Sequence, residues 1–201
     1  MKVVLFGVGT IGTAVKQTLE AHGYDVVTVS RDKGQLRADL TDIGSLRAAF
    51  ERVGAFHGVA CAAGDVFPGP IEEATDEQWA KSFASKAMGQ INVVRAALPF
   101  RADRGSFTLI SGILPDEPIA GGVIGAAING TIEGFVRAAA FELPRGIRIN
   151  CISPTVLAES VAYHPFFPGF SPVPVSEVAM AYLRAIATPL NGRIIKLHKS
   201  S

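Results

Sequence analysis

The sequence predicts an α/β fold, a single doubly wound parallel sheet with helices on both faces, carried by residues 1–201 as one domain. Three observations lead there. Short apolar runs alternate with segments of helical period along the whole chain. The chain opens on one such run, Val3-Val4-Leu5-Phe6, which leads into Gly7-Val8-Gly9-Thr10-Ile11-Gly12 and then into a helical pattern. The composition, 48% hydrophobic against 18% charged, suits a sheet that must be covered on both sides.

Each element follows from its own pattern. Val3 to Phe6 is the uninterrupted apolar run of a buried strand, and the helix after the glycines places Ile11, Ala14, Val15 and Leu19 on one face before His22-Gly23 stops it. Asp25 to Ser30 (D-V-V-T-V-S) reads as a second parallel strand ending at Arg31. The connection from Asp32 to Leu36 leaves no room for a crossover helix. After Arg37 to Asp42 (R-A-D-L-T-D), Asp42-Ile43 opens a helix whose apolar face is Ile43, Leu46, Phe50 and Val53. Phe56 to Cys61 is a strand that runs into Ala62-Ala63-Gly64. Thr75 is an N-cap followed by Asp76 and Glu77, and a long helix runs from it to about Leu98, with Trp79, Phe83, Ala87, Ile91 and Val94 on its apolar face. Ser106 to Ser111 is a strand, Val123 to Leu143 a helix of small residues, and Arg148 to Ser153 a strand ending at Pro154. A loop to about Val175 carries Tyr163, His164, Phe166, Phe167 and Phe170. Ser176 is expected to cap a last helix to Ala187, and Arg193 to Leu197 closes the sheet.

The bulk properties exclude several classes. A formal charge of +1 without a Lys/Arg cluster argues against nucleic acid and anionic membranes as partners. The longest uncharged apolar stretch, Pro118 to Ile132, is about 15 residues, short of the roughly 20 that span a bilayer. Residues 1–15 place Lys2 before an apolar run but hold three spaced glycines and no small-residue cleavage site, so they read as mature fold rather than a signal peptide. Cys61 and Cys151 both fall in predicted strands as buried free thiols, consistent with a cytoplasmic protein. The four histidines have no metal-ligand spacing, and no metal is expected.

A G-x-G-x-x-G directly after a strand and at a helix opening points to a dinucleotide site. Bare backbone N–H groups at the positive end of a helix let a pyrophosphate approach. Gly7, Gly9, Thr10, Ile11 and Gly12 are the expected contacts. An acidic residue at the end of the second strand would bind a ribose 2′-hydroxyl, whereas a basic one accommodates a 2′-phosphate. Ser30 and Arg31 stand there, with Asp32 one step later, so NADP(H) is favoured over NAD(H). The alternative is that Arg31 is a solvated charge at a strand end. Ala62, Ala63 and Gly64 form a turn of small residues on which the adenosine or ribose side of the cofactor can lie flat.

Taken in order, the glycine turn, Asp39 to Asp42 (D-L-T-D), Ala62 to Gly64 (A-A-G), Ile110-Ser111, Glu133 to Leu143 (E-G-F-V-R-A-A-A-F-E-L) and Arg148 to Pro154 (R-I-N-C-I-S-P) resemble the short-chain dehydrogenase/reductase superfamily over nearly the whole chain. The resemblance implies a Rossmann fold and an NAD(P)(H)-dependent oxidoreductase, often dimeric or tetrameric through the two long helices. It also implies that Asp39 and Leu40 lie at the adenine and that Pro154, Thr155 and Val156 touch the nicotinamide amide.

The departures bear on chemistry. The spacing Gly7-Val8-Gly9 is one residue tighter than the superfamily's usual turn. Its proton-donating tyrosine and the lysine four residues on fall at Gly125 and Asn129, and neither functional group is present. The family serine aligns with Gly112, or with Ser111 if the loop is offset by one. Lys86 stands where the family commonly has an asparagine, so Lys86 and Asn129 have exchanged places. An ammonium there could bind a ribose hydroxyl or polarise a carbonyl, with a pKa lowered by burial; the alternative is a lysine snorkelling to solvent. Ser111, Lys86 and Asn129 are therefore the candidate catalytic residues. The loop Val161 to Phe170 suits a lid over an apolar substrate or a packing strap, and Tyr163 or His164 could act as a substitute acid. Two functions remain open. One is an NADP(H)-dependent oxidoreductase acting on a small, apolar carbonyl or alcohol, as a homodimer or homotetramer. The other is a catalytically silent NADP(H)-binding sensor or regulatory protein.

Overall fold

Seven parallel strands form one sheet in the order β3-β2-β1-β4-β5-β6-β7 in a computed structural model that describes residues 1–198. The strands are β1 (Lys2–Phe6), β2 (Asp25–Ser30), β3 (Leu36–Arg37), β4 (Phe56–Cys61), β5 (Arg101–Ile110), β6 (Arg148–Pro154) and β7 (Ile194–Leu197). The helices are α1 (Thr10–Ala21), α2 (Ile43–Val53), α3 (Asp76–Ser82), α4 (Gly89–Ala97), α5 (Val123–Glu142) and α6 (Val175–Ala187). The expected fold class is the one observed. Among the described residues no helix is long and apolar enough to cross a membrane.

Both faces of the sheet are buried, which is why β1 reads as a continuous apolar run: Val3 and Leu5 point into one core, Val4 and Phe6 into the other. The first core lies under α1 and α6, where Val15, Leu19, Val178, Ala179 and Tyr182 pack together. The second lies under α2, α4 and α5. At its centre Phe50 packs tilted against Phe6 and Phe56 and stacked on Phe100, at ring-centroid distances of 5.5, 5.3 and 6.4 Å. Chain order reverses between β1 and β4, so the connections leave that point in opposite directions and open a crevice at the carboxyl ends of the strands.

Several local expectations change. The helix from Thr75 does form, with a reciprocal capping box between Thr75 and Gln78, but a π-helical turn over Phe83–Met88 divides it into α3 and α4. Strand β5 begins at Arg101 rather than Ser106. The residue preceding the last helix is Pro174, not Ser176. The Val175 N–H is taken up by the Glu159 carboxylate at 3.0 and 3.1 Å, which replaces a side-chain cap from within the segment. The short stretch before Ala38 contributes a two-residue strand, Leu36–Arg37, on the edge of the sheet.

Candidate active site

The crevice holds two adjoining cavities that share Ala62, Ala63 and Gly64. The larger, about 920 Å³, runs along Gly7 to Gly9, Ser30 to Lys33, Ala38 to Thr41 and Ala62 to Pro68. The smaller, about 310 Å³, lies against Lys86, Ser111 and Asn129 on one side and Pro154 to Leu157, Tyr163 and Phe167 on the other.

The glycine turn divides its work between packing and openness. Gly7 has φ +99°, and a Cβ there would fall 2.5 Å from the Ala62 carbonyl oxygen. A Cβ on Gly12 would fall 2.1 Å from the Gly7 carbonyl oxygen, so Gly12 lets α1 sit on the turn. A Cβ on Gly9 would meet nothing within 4 Å, and no side chain caps the helix start at Gly9. The start of α1 at Gly9 is therefore left open on the larger cavity, which fits a pyrophosphate. Thr10 and Gly12 line neither cavity, and Ile11 lines the smaller one.

Along the larger cavity, the Ser30 hydroxyl accepts from the Lys33 and Gly34 N–H groups at 2.9 and 2.7 Å and shapes the turn after β2. Arg31 is exposed and reaches across the cleft mouth to Asp65 at 3.3 Å. Asp39 accepts from the Thr41 N–H and hydroxyl, both at 2.8 Å; these bonds, backbone first, hold its carboxyl below the usual range, with Arg31 assisting. Leu40 lies on the cavity wall against Gly89, where a Cβ would come within 2.9 Å of Leu40 Cβ. Ser82 and Ser85 accept from the Phe67 and Asp65 N–H groups at 3.0 and 2.9 Å, tying the segment after β4 to α3 and the π turn. Asp65, Lys33 and these serines were not singled out from the sequence, because none belongs to a spaced motif.

The smaller cavity brings the three candidate catalytic residues together. Lys86 leaves the π turn toward the end of β5, where its Nζ donates to the Ser111 carbonyl at 3.3 Å. Burial lowers its pKa from 10.5 to about 8, against an opposing effect from Cys151 and Cys61, and no carboxylate among the described residues pairs with it. The Ser111 hydroxyl points elsewhere, donating to buried Glu133 at 3.0 Å, and Glu133 also takes Arg137 at 3.1 Å. Asn129 donates through Nδ2 to the Gly112 carbonyl at 3.4 Å. Asn129 Oδ1 and Thr155 Oγ1 are buried with no hydrogen-bond partner among the described residues. Pro154, Thr155 and Val156 also line this cavity. A Cβ on Gly125 would meet Leu114 Cδ1 at 2.9 Å, so Leu114 occupies the space a tyrosine side chain at 125 would enter. Tyr163 faces the cavity from the 3₁₀ segment Val161–Phe166, whereas the Tyr182 hydroxyl is buried on the Cys61 carbonyl at 2.7 Å. His164 is bound at 2.9 Å to the Leu157 carbonyl oxygen. Cys61 and Cys151 are buried free thiols, each pushed up by burial to about 12. Among the described residues no cluster of His, Cys, Asp and Glu is placed to hold a metal ion.

A parallel sheet with a glycine turn at its switch point and a divided cleft above it defines the nucleotide-cofactor class of doubly wound α/β proteins. Residues 7–189 match the family model described as Enoyl-(Acyl carrier protein) reductase, and the chain belongs to the short-chain dehydrogenase/reductase superfamily of NAD(P)-binding oxidoreductases. The chain is similar to the 2,5-dichloro-2,5-cyclohexadiene-1,4-diol dehydrogenase of Sphingobium indicum, at 32% identity over 126 residues, 59% of this chain and 50% of that protein. The chain thus spans about half the length of the curated relatives it matches. Among solved structures, the protein lin1944 from Listeria innocua superposes with a TM-score of 0.96 at 40% identity, over 98% of this chain and all of that one. A small-chain dehydrogenase in complex with NADPH superposes with a TM-score of 0.88 at 28% identity, over 98% of this chain and 96% of that one.

Proposed function

We propose that the chain is an NADP(H)-dependent oxidoreductase acting on a small apolar carbonyl or alcohol, with the Lys86 ammonium in the role usually given to a tyrosine. The observation that carries this is the meeting of the two cavities at Ala62 to Gly64: an open helix start at Gly9 on one side, the half-buried Lys86 amine on the other. Gly7, Gly9 and the start of α1 would hold the pyrophosphate, Arg31 the 2′-phosphate, Asp39 and Leu40 the adenine, and Pro154 to Val156 the nicotinamide amide. The solved relative in complex with NADPH supports the cofactor. When bound, the nicotinamide donates or accepts hydride.

The chain's own residues supply the rest. The Ile113, Leu114, Val156, Leu157 and Phe167 side chains give the place of the reacting carbon an apolar wall. Lys86 presents a proton at Nζ to a carbonyl oxygen, and Asn129 and Thr155 offer partners for a second polar group. The Ser111 proton is committed to Glu133, so Ser111 acts through its carbonyl, which orients Lys86. With its pKa near 8, Lys86 is an acid below that pH and a base above it, so carbonyl reduction is favoured below pH 8 and alcohol oxidation above. The exposed side of α5, with Ala127, Thr131, Gly134, Ala138 and Phe141, supports assembly as a homodimer or homotetramer, and a cytoplasmic setting accords with the two free thiols.

A fluorescence titration with NADPH followed by an oxidation assay on aldehydes, ketones and quinones tests this. Arg31→Asp should weaken NADPH at least ten-fold more than NADH; equal losses refute the 2′-phosphate assignment. The second reading, a silent NADP(H)-binding protein, draws on the absence of a hydroxyl at Gly125 and on the engaged Ser111. Binding without turnover across the panel, with Lys86→Ala changing nothing, establishes it in place of the enzyme.

A further inference from the structure

We infer that Lys86 is a nucleophilic amine that condenses reversibly with small apolar aldehydes in the smaller cavity and holds them as an imine. This rests on the reading of that cavity as a carbonyl site, and it needs no nucleotide. The surroundings of Nζ carry it. Lys16, Lys81 and Lys196 each lie on a carboxylate. Lys86 has no such partner among the described residues, makes one long hydrogen bond, 3.3 Å, to the Ser111 carbonyl oxygen, and lines the cavity. The residue is half-buried rather than sealed in the core.

The walls suit both steps of the reaction. In the first, the Nζ lone pair adds to the carbonyl carbon, the C–O π pair moves to oxygen, and one nitrogen proton passes to that oxygen. The product is a carbinolamine. In the second, its hydroxyl and the remaining nitrogen proton leave as water and the C=N bond forms; nothing is oxidised or reduced. Asn129 Oδ1, buried and unpartnered, is an acceptor for the carbinolamine hydroxyl. The apolar walls Ile113, Leu114, Val156 and Phe167 disfavour the return of water. Addition requires the neutral amine. Lowering the pKa from 10.5 to about 8 leaves about one Lys86 in ten neutral at pH 7, against roughly one in three thousand for an ordinary lysine.

The test uses the full chain without nucleotide, treated at pH 7 with benzaldehyde and cyanoborohydride, which reduces an iminium to a stable secondary amine. Peptide mapping by mass spectrometry then reads each lysine. The expected result at pH 7 is benzylation at Lys86 about ten-fold or more faster than at exposed Lys33 and Lys81. No label at Lys86, or a rate equal to that of the exposed lysines, overturns the inference. Lys86→Arg should abolish the fast label; because the unaltered chain is itself mapped, the result does not depend on that variant folding. Trapping without NADPH binding would remove the hydride-transfer reading and leave this one standing. Turnover with NADPH and no trapping would do the reverse.

Discussion

Gly64 has φ +124°, and a Cβ built on it would lie 2.7 Å from the Cα and 2.8 Å from the Cβ of Lys86. Its backbone conformation and its lack of a side chain are both what bring the lysine to the cavity. Gly64→Ala should therefore cost about 2–3 kcal/mol in urea unfolding from backbone strain and overlap, and should displace the amine and lower turnover. A variant with unchanged stability would show that the close approach carries no strain. At this scale the sequence was informative where spacing alone marks a role. The exchange can be counted out, Asn129 back from Glu133 and Lys86 back from Gly89. The engagement of Ser111 by Glu133 cannot, because they stand 22 positions apart, one just past β5 and the other inside α5, and only the packing of α5 on β5 joins them. The same holds for Leu114 filling the space beside Gly125.

At the scale of the element, the π turn Phe83–Met88 is what a period of 3.6 could not foresee. It inserts an extra residue into the helix and turns the buried face, so that Gln90, Val93, Val94 and Ala97 are buried after it while Ile91 is only partly covered. The turn also aims two side chains at the end of β5: Lys86 toward Ser111, and Gln90 onto Ile110, where it accepts from the N–H at 2.9 Å and donates to the carbonyl at 2.8 Å. Gln90→Ala leaves both backbone groups buried and unpaired, so a loss of about 2–4 kcal/mol is expected by chemical denaturation; a loss below about 0.5 kcal/mol would mean water replaces the amide. Thr75→Ala removes one half of the capping box, and about 1 kcal/mol should go with it in the same measurement. The segment Val161–Phe166 buries no residue, yet Tyr163 lines the cavity. Its amides should exchange fastest among the segments around the site and slow when NADPH and a substrate analogue are added. Unchanged exchange on binding would favour the packing strap over the lid.

At the scale of the whole molecule, the doubly wound sheet was legible because buried parallel strands and amphipathic helices leave different periods in the sequence. The joined cavities were not, because their contiguity depends on where strand order reverses, between β1 and β4, which no local pattern records. Around that sheet, four groups shifted by burial have effects that oppose one another. Lys86 titrates at about 8 in the folded chain and 10.5 when unfolded, so between these values the unfolded chain binds more protons and stability rises with pH. Cys61 and Cys151 titrate at 9.0 unfolded and about 12 folded, and Tyr182 is raised well above 10.0. For these three the folded chain binds more protons, so their contribution is complete below pH 9 and is lost as pH rises through the folded values. Only Lys86 acts between pH 8 and 9, whereas above pH 9 two thiols outweigh it. Unfolding free energy followed by urea denaturation should therefore climb slightly from pH 8 to 9 and fall beyond. Lys86→Met should flatten the climb and keep the fall, and Cys61→Ala with Cys151→Ala should delay the fall toward the tyrosine range. A wild-type profile that falls from pH 8 onward with no dependence on Lys86 would show that the amine titrates at the same pH folded and unfolded, and with that the electrostatic basis for its role as an acid near neutral pH would be gone.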